Sequence, residues 1–302
     1  MLALTYAGYG DPSVLDVTTR PEPHAGPGQV RIAVRVAGVN PVDWKIRAGQ
    51  MKEWITTRFP AIPGSDAAGV VDEVGEGVEG VKVGDEVFGS GADASAEFAV
   101  LDEFALKPAS LSWEQAGGLA AVAETALRTL ELLRPSAGQT LLIEGAAGGV
   151  GSAAAQFALA DGVRVIGTAS EQNHEFLRDL GVVPTVYGPG LKERVDALAP
   201  EGVDVVLDTA GLGSLKELIE IAESAESVVS IADFSAPEHG ARLSVGITDP
   251  RAFHALEKAA RLADEGKFTV PIDSEFALAD AAKAHERSQG GHVRGKIVLK
   301  VA

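Results

Sequence analysis

The sequence contains no cysteine. That absence excludes disulfides, thiolate zinc sites, cysteine-ligated iron–sulfur clusters and a cysteine nucleophile. Aromatic residues are scarce at 5%, which argues against a recognition surface built on stacked rings. Basic residues are outnumbered: 26 Lys and Arg stand against 43 Asp and Glu, a formal net charge of −17. So acidic a chain repels phosphate backbones and anionic bilayers, and neither nucleic acid nor a membrane is expected as a partner. No stretch approaches the ~18 uninterrupted apolar residues of a spanning helix. The longest weakly polar run, GGVGSAAAQFALA, holds Ser and Gln and stops at Asp161. The N-terminus, MLALTYAGYGDPSV, lacks a basic start followed by a long apolar run. No targeting segment is read there, and a cytoplasmic location is expected.

What is present in quantity is glycine, 35 of 302 residues. A chain of this length suggests about two domains at ~150 residues each, and its texture changes midway. The first third reads as short strands between glycines. Gln29–Val36 alternates apolar and polar residues, and Ala68–Val74, Asp85–Phe88 and Glu97–Val100 follow, which together point to a small barrel or rolled sheet. WEQAGGLAAVAETALRTLELL from Trp113 reads as one helix, ended by Pro135 and Gly138. Strands and helices then alternate. Strands are expected at 139–144, 163–168, 185–187, 203–208 and 227–231. Helices are expected at 150–161, 171–180, 191–198 and 214–224. Near-continuous apolar strands in a βαβα rhythm imply a parallel sheet covered on both faces. A helix from about Arg251, a helix at 279–288 and a strand at 296–301 complete the chain.

QTLLIEGAAGGVGSAAAQFALA (139–160) is the most informative stretch. A strand ends at Glu144, a glycine-rich turn follows, and a helix opens near Val150. Ala146, Gly148 and Gly151 fit the spacing G-x-G-x-x-G with alanine in the first place, and Gly149 and Val150 lie between. Such a turn lets backbone N–H groups approach a pyrophosphate at a positive helix end. Between a strand and a helix, within several βα units, the pattern points to dinucleotide binding. An NAD site usually carries Asp or Glu about 20 residues on, where it holds the ribose hydroxyls. Here the sequence reads VIGTAS, with Ala169 near that position and Ser170 next. No carboxylate stands there to repel a 2′-phosphate, and Ser170 and Asn173 are able to hydrogen-bond one, so NADPH is the expected cofactor. Glu171 is an awkward neighbour for a phosphate. Ser170 also suits a helix N-cap.

GAAGGVGSAAAQFA, with GVNPVDWKIRAG (38–49) and PGSDAAGVVDEVGEGV (63–78), resembles the medium-chain dehydrogenase/reductase superfamily. Within it, the chain is similar to the zinc-independent quinone oxidoreductases, zeta-crystallin and the enone reductases. VGDEVFG, AEFAVLDEFALKP, AETALRTLELL and GKIVLKV extend the likeness over essentially the whole chain. The resemblance implies an α/β fold in which a doubly wound Rossmann domain is inserted into a GroES-like β-rich catalytic domain. The expected bounds are 1–122 with 258–302 for the GroES-like domain and 123–257 for the Rossmann domain. It also implies a homodimer joined through the Rossmann sheets, with the cofactor lying between the two lobes.

In the zinc-dependent branch the resemblance places ligands where this chain has Asn40, Ser65 and Ala121, none of them a credible set. The six histidines, at 24, 174, 239, 254, 285 and 292, show no paired spacing. No metal is expected. Without a Lewis acid a conjugated acceptor is the tractable substrate, because hydride addition spreads charge over an enolate or quinol that donors then stabilise. The resemblance implies catalytic roles for Asn40, Lys45 and Thr125. NPVD followed by Lys45 is similar to the chloroplast-type alkenal and enone reductases, whereas a Tyr tends to hold that place in the quinone reductases. Further cofactor contacts implied by the family are Tyr187 near the adenosine phosphate, then Asp208, Ala210 and Gly211, then Ile231 and Ala232 beside the nicotinamide ribose.

Plainer roles stay open for each residue: Lys45 as a solvated helix residue, Asn40 as a turn cap, and Thr125 bonded back to its own turn. Asp43 reads as the residue holding the NPVD turn, and Asp66 as a turn residue. Trp44, Met51, Trp54 and Phe59 either wall a substrate cleft or pack a small core. The expected activity is NADPH-dependent reduction of a small quinone or α,β-unsaturated carbonyl. The competing class is a non-catalytic NADPH-binding redox sensor or structural protein.

Overall fold

The computed structural model describes residues 1–301. It divides into two compact units, Met1–Ala121 with Leu256 onward, and Val122–Ala255. In chain order the first unit opens with strands β1 (Leu2–Thr5), β2 (Asp16–Thr19) and β3 (Val30–Val39) and helix α1 (Pro41–Arg47). Strands β4 (Asp66–Val74), β5 (Glu86–Ser90), β6 (Phe98–Leu101) and β7 (Glu103–Leu106) follow, then α2 (Trp113–Gly117) and the start of α3 (Ala120–Leu133). The second unit holds β8 (Thr140–Glu144), α4 (Gly149–Ala160), β9 (Arg164–Thr168), α5 (His174–Asp179), β10 (Val183–Thr185) and α6 (Leu191–Leu198). It closes with β11 (Val205–Asp208), α7 (Leu215–Ala222), β12 (Val228–Ser230) and β13 (Arg242–Leu243). With α8 (Ala255–Asp264) the chain returns to the first unit, which then holds β14 (Ile272–Ala277), α9 (Ala281–Gln289) and β15 (Lys296–Lys300).

The first unit is a seven-stranded sheet in the order β14-β15-β3-β4-β5-β7, with β6 also pairing β3 and a separate β1–β2 ribbon. All pairs are antiparallel except β14 with β15. In β3 the inward residues Val30, Ile32 and Val34 alternate with more exposed ones, and then Val36 to Val39 are all buried. The strand runs past its expected end at Val36 because β15 pairs with Ala37, Gly38 and Val39, covering what the alternation alone would leave open. The core collects Leu4, Val30, Ile32, Val34, Val71 and Leu101 from these strands.

The expected single helix from Trp113 breaks in two. Ser112 and Gln115 form reciprocal capping bonds that start α2, a pairing that satisfies two orphan donors. The break falls at Gly118, which lies against the Lys296 stem: a Cβ there would sit 3.2 Å from Lys296 Cβ. On Gly117, a Cβ would sit 2.6 Å from Val36 Cγ1. The glycine pair ends the helix so that two strands can pass close by.

The second unit is a six-stranded sheet in the order β10-β9-β8-β11-β12-β13, every pair parallel. Counted within the unit, that order is 3-2-1-4-5-6, the doubly wound Rossmann arrangement. β8 and β11 are buried throughout, as central parallel strands covered on both faces must be. Leu142, Ile166, Val206 and Val228 join Leu191, Val195, Leu215 and Leu218 in its core. The third strand lies two residues earlier than expected, at Val183–Thr185 with Pro184 inside it; proline is tolerated there because β10 is an edge strand. The expected helix 171–180 opens as a 3-10 turn, Glu171–Asn173, before α5. Among the described residues no helix is long and apolar enough to cross a membrane.

Candidate active site

The cofactor residues expected from the sequence are gathered by the second sheet. Gly148–Gly151 follow β8, Ser170 and Asn173 follow β9, Tyr187 follows β10, Ala210 and Gly211 follow β11, and Ile231 and Ala232 follow β12. All therefore stand at the carboxyl ends of five neighbouring parallel strands, the edge at which open α/β sheets bind ligands.

Local physics shapes the first turn. Gly145 has φ +80, a left-handed conformation that favours glycine. Its N–H donates to Thr168 Oγ1 at 3.1 Å, and Ala146 N–H donates to Thr168 O at 3.0 Å. A Cβ on Gly151 would lie 2.4 Å from Gly145 O, so α4 seats directly on the turn. Gly148 is the N-cap of α4 and supplies no side-chain cap, leaving the N–H groups of the first turn to an external acceptor. These residues fit a dinucleotide pyrophosphate. Ala146 is fully buried and packs towards Gly167, so its part is to shape the turn.

Beneath the turn lie carboxylates whose roles the sequence did not disclose. Both oxygens of buried Glu144 accept from Ser214 Oγ, at 2.6 and 2.7 Å. Burial pushes its carboxyl up to about 7, with the Ser214 bond opposing and nearby Asp208 adding to the rise. Asp208 Oδ1 accepts from the N–H groups of Ala210 and Gly211 at 2.9 and 2.8 Å. Its Oδ2 accepts from Ser230 Oγ at 2.7 Å, and Ser230 Oγ in turn accepts from Ala232 and Asp233 N–H. Asp208 is thus spent on shaping two of the loops and does not itself face a ligand. A carboxylate at a strand end three residues before a glycine was the signal available for it.

At the adenosine end, Asn173 Nδ2 donates to Ser170 Oγ at 3.1 Å. Ser170 makes no side-chain capping bond, so its hydroxyl does not serve as the N-cap that its position suggested. Tyr187 is 41% exposed and follows Thr185, the last residue of β10, in the loop at that strand's carboxyl end. Thr125, on α3 in this unit, bonds to side chains of its own helix and not to a backbone carbonyl. Its hydroxyl donates to Glu124 Oε2 at 3.2 Å and accepts from Arg128 Nη2 at 3.4 Å. Arg128 Nε holds Glu124 Oε1 at 2.9 Å, and Arg251 Nε lies 3.1 Å from the same oxygen.

In the first unit, Asn40 and Lys45 lie on one short helix. Pro41 begins α1, and the Asp43 carboxylate accepts from Asn40 N–H at 2.7 Å, which holds the turn as the sequence suggested. Burial, with Asp66 adding and Lys296 opposing, pushes the Asp43 carboxyl up to about 7. Asn40 is 5% exposed; Nδ2 donates to Asp66 Oδ2 at 2.9 Å, and Oδ1 accepts from Lys296 Nζ. Lys45 is half-buried, its Nζ 5.7 Å from the Trp44 ring centroid, and among the described residues it has no ion pair. Asp66, expected in a turn, is instead the fully buried first residue of β4. Its Oδ1 accepts from Ala121 N–H at 3.1 Å and so caps the first turn of α3. Trp54 and Phe59 are exposed; they pack no core, and Phe59 meets Tyr6 and Tyr9 edge to face.

Two family models match the chain: an alcohol dehydrogenase GroES-like domain over residues 26–129, and a zinc-binding dehydrogenase model over residues 182–299. The second segment contains none of positions 40, 65 and 121. The 2-methylene-furan-3-one reductase of Solanum lycopersicum is 33% identical over 99% of this chain and 79% of its own length. The NADPH-dependent alkenal/one oxidoreductase of Arabidopsis thaliana is 31% identical over the same shares. The solved quinone oxidoreductase of Coxiella burnetii matches with a TM-score of 0.85 at 31% identity, covering 100% of this chain and 99% of that one. Likeness of this extent to both kinds of relative, on a sheet order and glycine turn already seen in the structure, means that the chain belongs to the medium-chain dehydrogenase/reductase superfamily, in the branch that holds the quinone oxidoreductases and enone reductases.

Proposed function

We propose that this oxidoreductase is an NADPH-dependent reductase of small quinones or α,β-unsaturated carbonyl compounds. One observation carries the reading: where the zinc-dependent relatives place a ligand, a neutral carboxamide, Asn40, is buried and held at both ends. A reduced nicotinamide, when bound, supplies hydride. The chain's own residues do the rest. The N–H groups opening α4 hold the pyrophosphate, and Ser170 and Asn173 offer neutral donors to a 2′-phosphate. The loops at 210–211 and 231–232 border the nicotinamide end, with Thr125 beside it. Asn40 and Lys45 donate to the oxygen of the acceptor as negative charge develops there, which is the larger part of the barrier to be lowered. A conjugated acceptor suits this set, since its charge is delocalised and a carboxamide and an ammonium suffice as donors without a metal ion.

NADPH oxidation followed at 340 nm over a panel of quinones and enones tests the proposal. Turnover on conjugated acceptors and none on simple ketones is expected. Tight NADPH binding with no turnover on any acceptor would instead make the protein a nucleotide sensor. A homodimer is proposed from the same kinship, and light scattering should then give about twice the 31.1 kDa of the chain.

A further inference from the structure

Two ionised side chains lie against Asn40 without belonging to its sequence motif: Asp66, 26 residues on, and Lys296, 256 residues on. Lys296 is 3% exposed and Asp66 fully buried, with Lys296 Nζ 3.6 Å from Asp66 Oδ2 and 3.4 Å from Val39 O. Their space is reserved by glycines. A Cβ on Gly118 would press on the Lys296 stem at 3.2 to 3.4 Å, and one on Gly38 would come within 3.1 Å of Asp66 Oδ2.

The chemistry of the two partners fixes which way the carboxamide points. An ammonium only donates and an ionised carboxylate only accepts. The flipped amide would set N–H against ammonium and carbonyl against carboxylate, so Oδ1 must face Lys296 and Nδ2 must face Asp66. A primary amide has two N–H groups, and Asp66 takes one. We propose that Lys296 and Asp66 are positioning residues for the reduction, locking the Asn40 carboxamide so that its second N–H points to the acceptor oxygen. Lys296 also polarises the amide carbonyl and so strengthens that N–H as a donor. A buried ion pair contributes little stability over apolar side chains of the same volume, so orientation is the function that this one serves. The inference rests on Asn40 being the donor proposed above.

A double-mutant cycle with N40A and K296M, read in kcat on one enone, tests it. N40A is expected to lower kcat on the order of 10²-fold, as loss of an oxyanion donor does. K296M should lower kcat about 10-fold or more in the native background, with NADPH affinity by fluorescence within about twofold. In the N40A background it should cost less than about twofold further, because there is no amide left to orient. Full additivity would overturn the positioning role while leaving the Asn40 reading intact; an N40A enzyme with native kcat would overturn that reading itself. Should K296M not fold, K296Q, whose side chain is shorter, uncharged and able to present either oxygen or nitrogen, replaces it in the same cycle, with the same non-additivity expected. A second readout needs neither cofactor nor turnover. The Asn40 side-chain amide pair, identified in a ¹H–¹⁵N spectrum by its loss in N40A, should show two widely separated protons that converge in K296M or K296Q. An unmoved pair would refute the inference.

Discussion

A buried histidine sits in the first unit without a charge partner. His285 is 1% exposed, and its Nδ1 has no hydrogen-bond partner. Burial, with the Arg47 guanidinium beside it, holds its pKa down at about 4 from an ordinary 6.5. In the folded chain the ring is therefore neutral over pH 4 to 6.5, while the unfolded chain takes up a proton. Stability from this group is present above pH 6.5 and is lost as pH falls towards 4, by about 3 kcal/mol at 1.36 kcal/mol per unit. Asp43 acts in the opposite sense: its raised carboxyl favours the folded state at low pH and loses that contribution as pH rises to about 7. H285F separates the two. Urea unfolding of native protein and variant at pH 7 and pH 4.5 should show the native protein losing stability relative to H285F at the lower pH; parallel behaviour would mean that His285 titrates normally. Ser170 carries a second prediction at this scale. S170D should shift preference from NADPH towards NADH by 10-fold or more in kcat/KM, because a carboxylate repels a 2′-phosphate and binds ribose hydroxyls; an unchanged ratio would remove Ser170 from the cofactor.

Among the elements, the turn between β8 and α4 depends most on backbone geometry. G151A introduces a methyl 2.4 Å from Gly145 O and 2.8 Å from Ala146 Cα, both backbone atoms that cannot rotate away. A loss of about 1–3 kcal/mol in stability is expected, together with a fall in NADPH affinity, checked by thermal shift and fluorescence titration; native values for both would mean that the helix start is mobile. This element was legible in the sequence because its pattern is local: a strand, a glycine run and a small-residue helix lie within 22 consecutive residues. The same holds for α6, found over 191–198 as expected. Elements whose partners are distant were not. β1 and β2 are short, and DVTT is polar, so their antiparallel pairing, Leu4 with Val17 within it, and the burial of Leu4 mark them as strands. The WEQAGG helix looks continuous until Val36 and Lys296 crowd the glycine pair. Lys296 itself, 256 residues from Asn40, belongs to a strand that reads as ordinary sheet. Local periodicity reveals the scaffold, whereas a site residue held by a remote strand carries no local mark.

On the scale of the whole molecule the dominant fact is charge. The chain carries −17, and the proposed ligand is a polyanion. Side chains at the strand ends of the second unit do little to offset this. Segments 145–163, 165–177, 205–215 and 228–241, which supply four of the five strand ends, contain no Lys or Arg. Beyond the fifth, Arg194 is turned onto the carbonyls of Val186, Gly188 and Pro189. At these strand ends attraction is thus left to the short-range N–H groups and dipole of α4, while the long-range field of the net charge repels. The Debye length falls from about 30 Å at 0.01 M salt to about 8 Å at 0.15 M, so added salt screens the repulsion at the distances of diffusional approach and leaves the contacts in the turn almost untouched. The association rate of NADPH should therefore rise severalfold between 10 and 150 mM NaCl in stopped-flow fluorescence, with the dissociation rate nearly constant, and KM for an uncharged enone should not respond. A rate that falls with salt would mean that cations gather at the cofactor, contrary to the side-chain census of the strand ends.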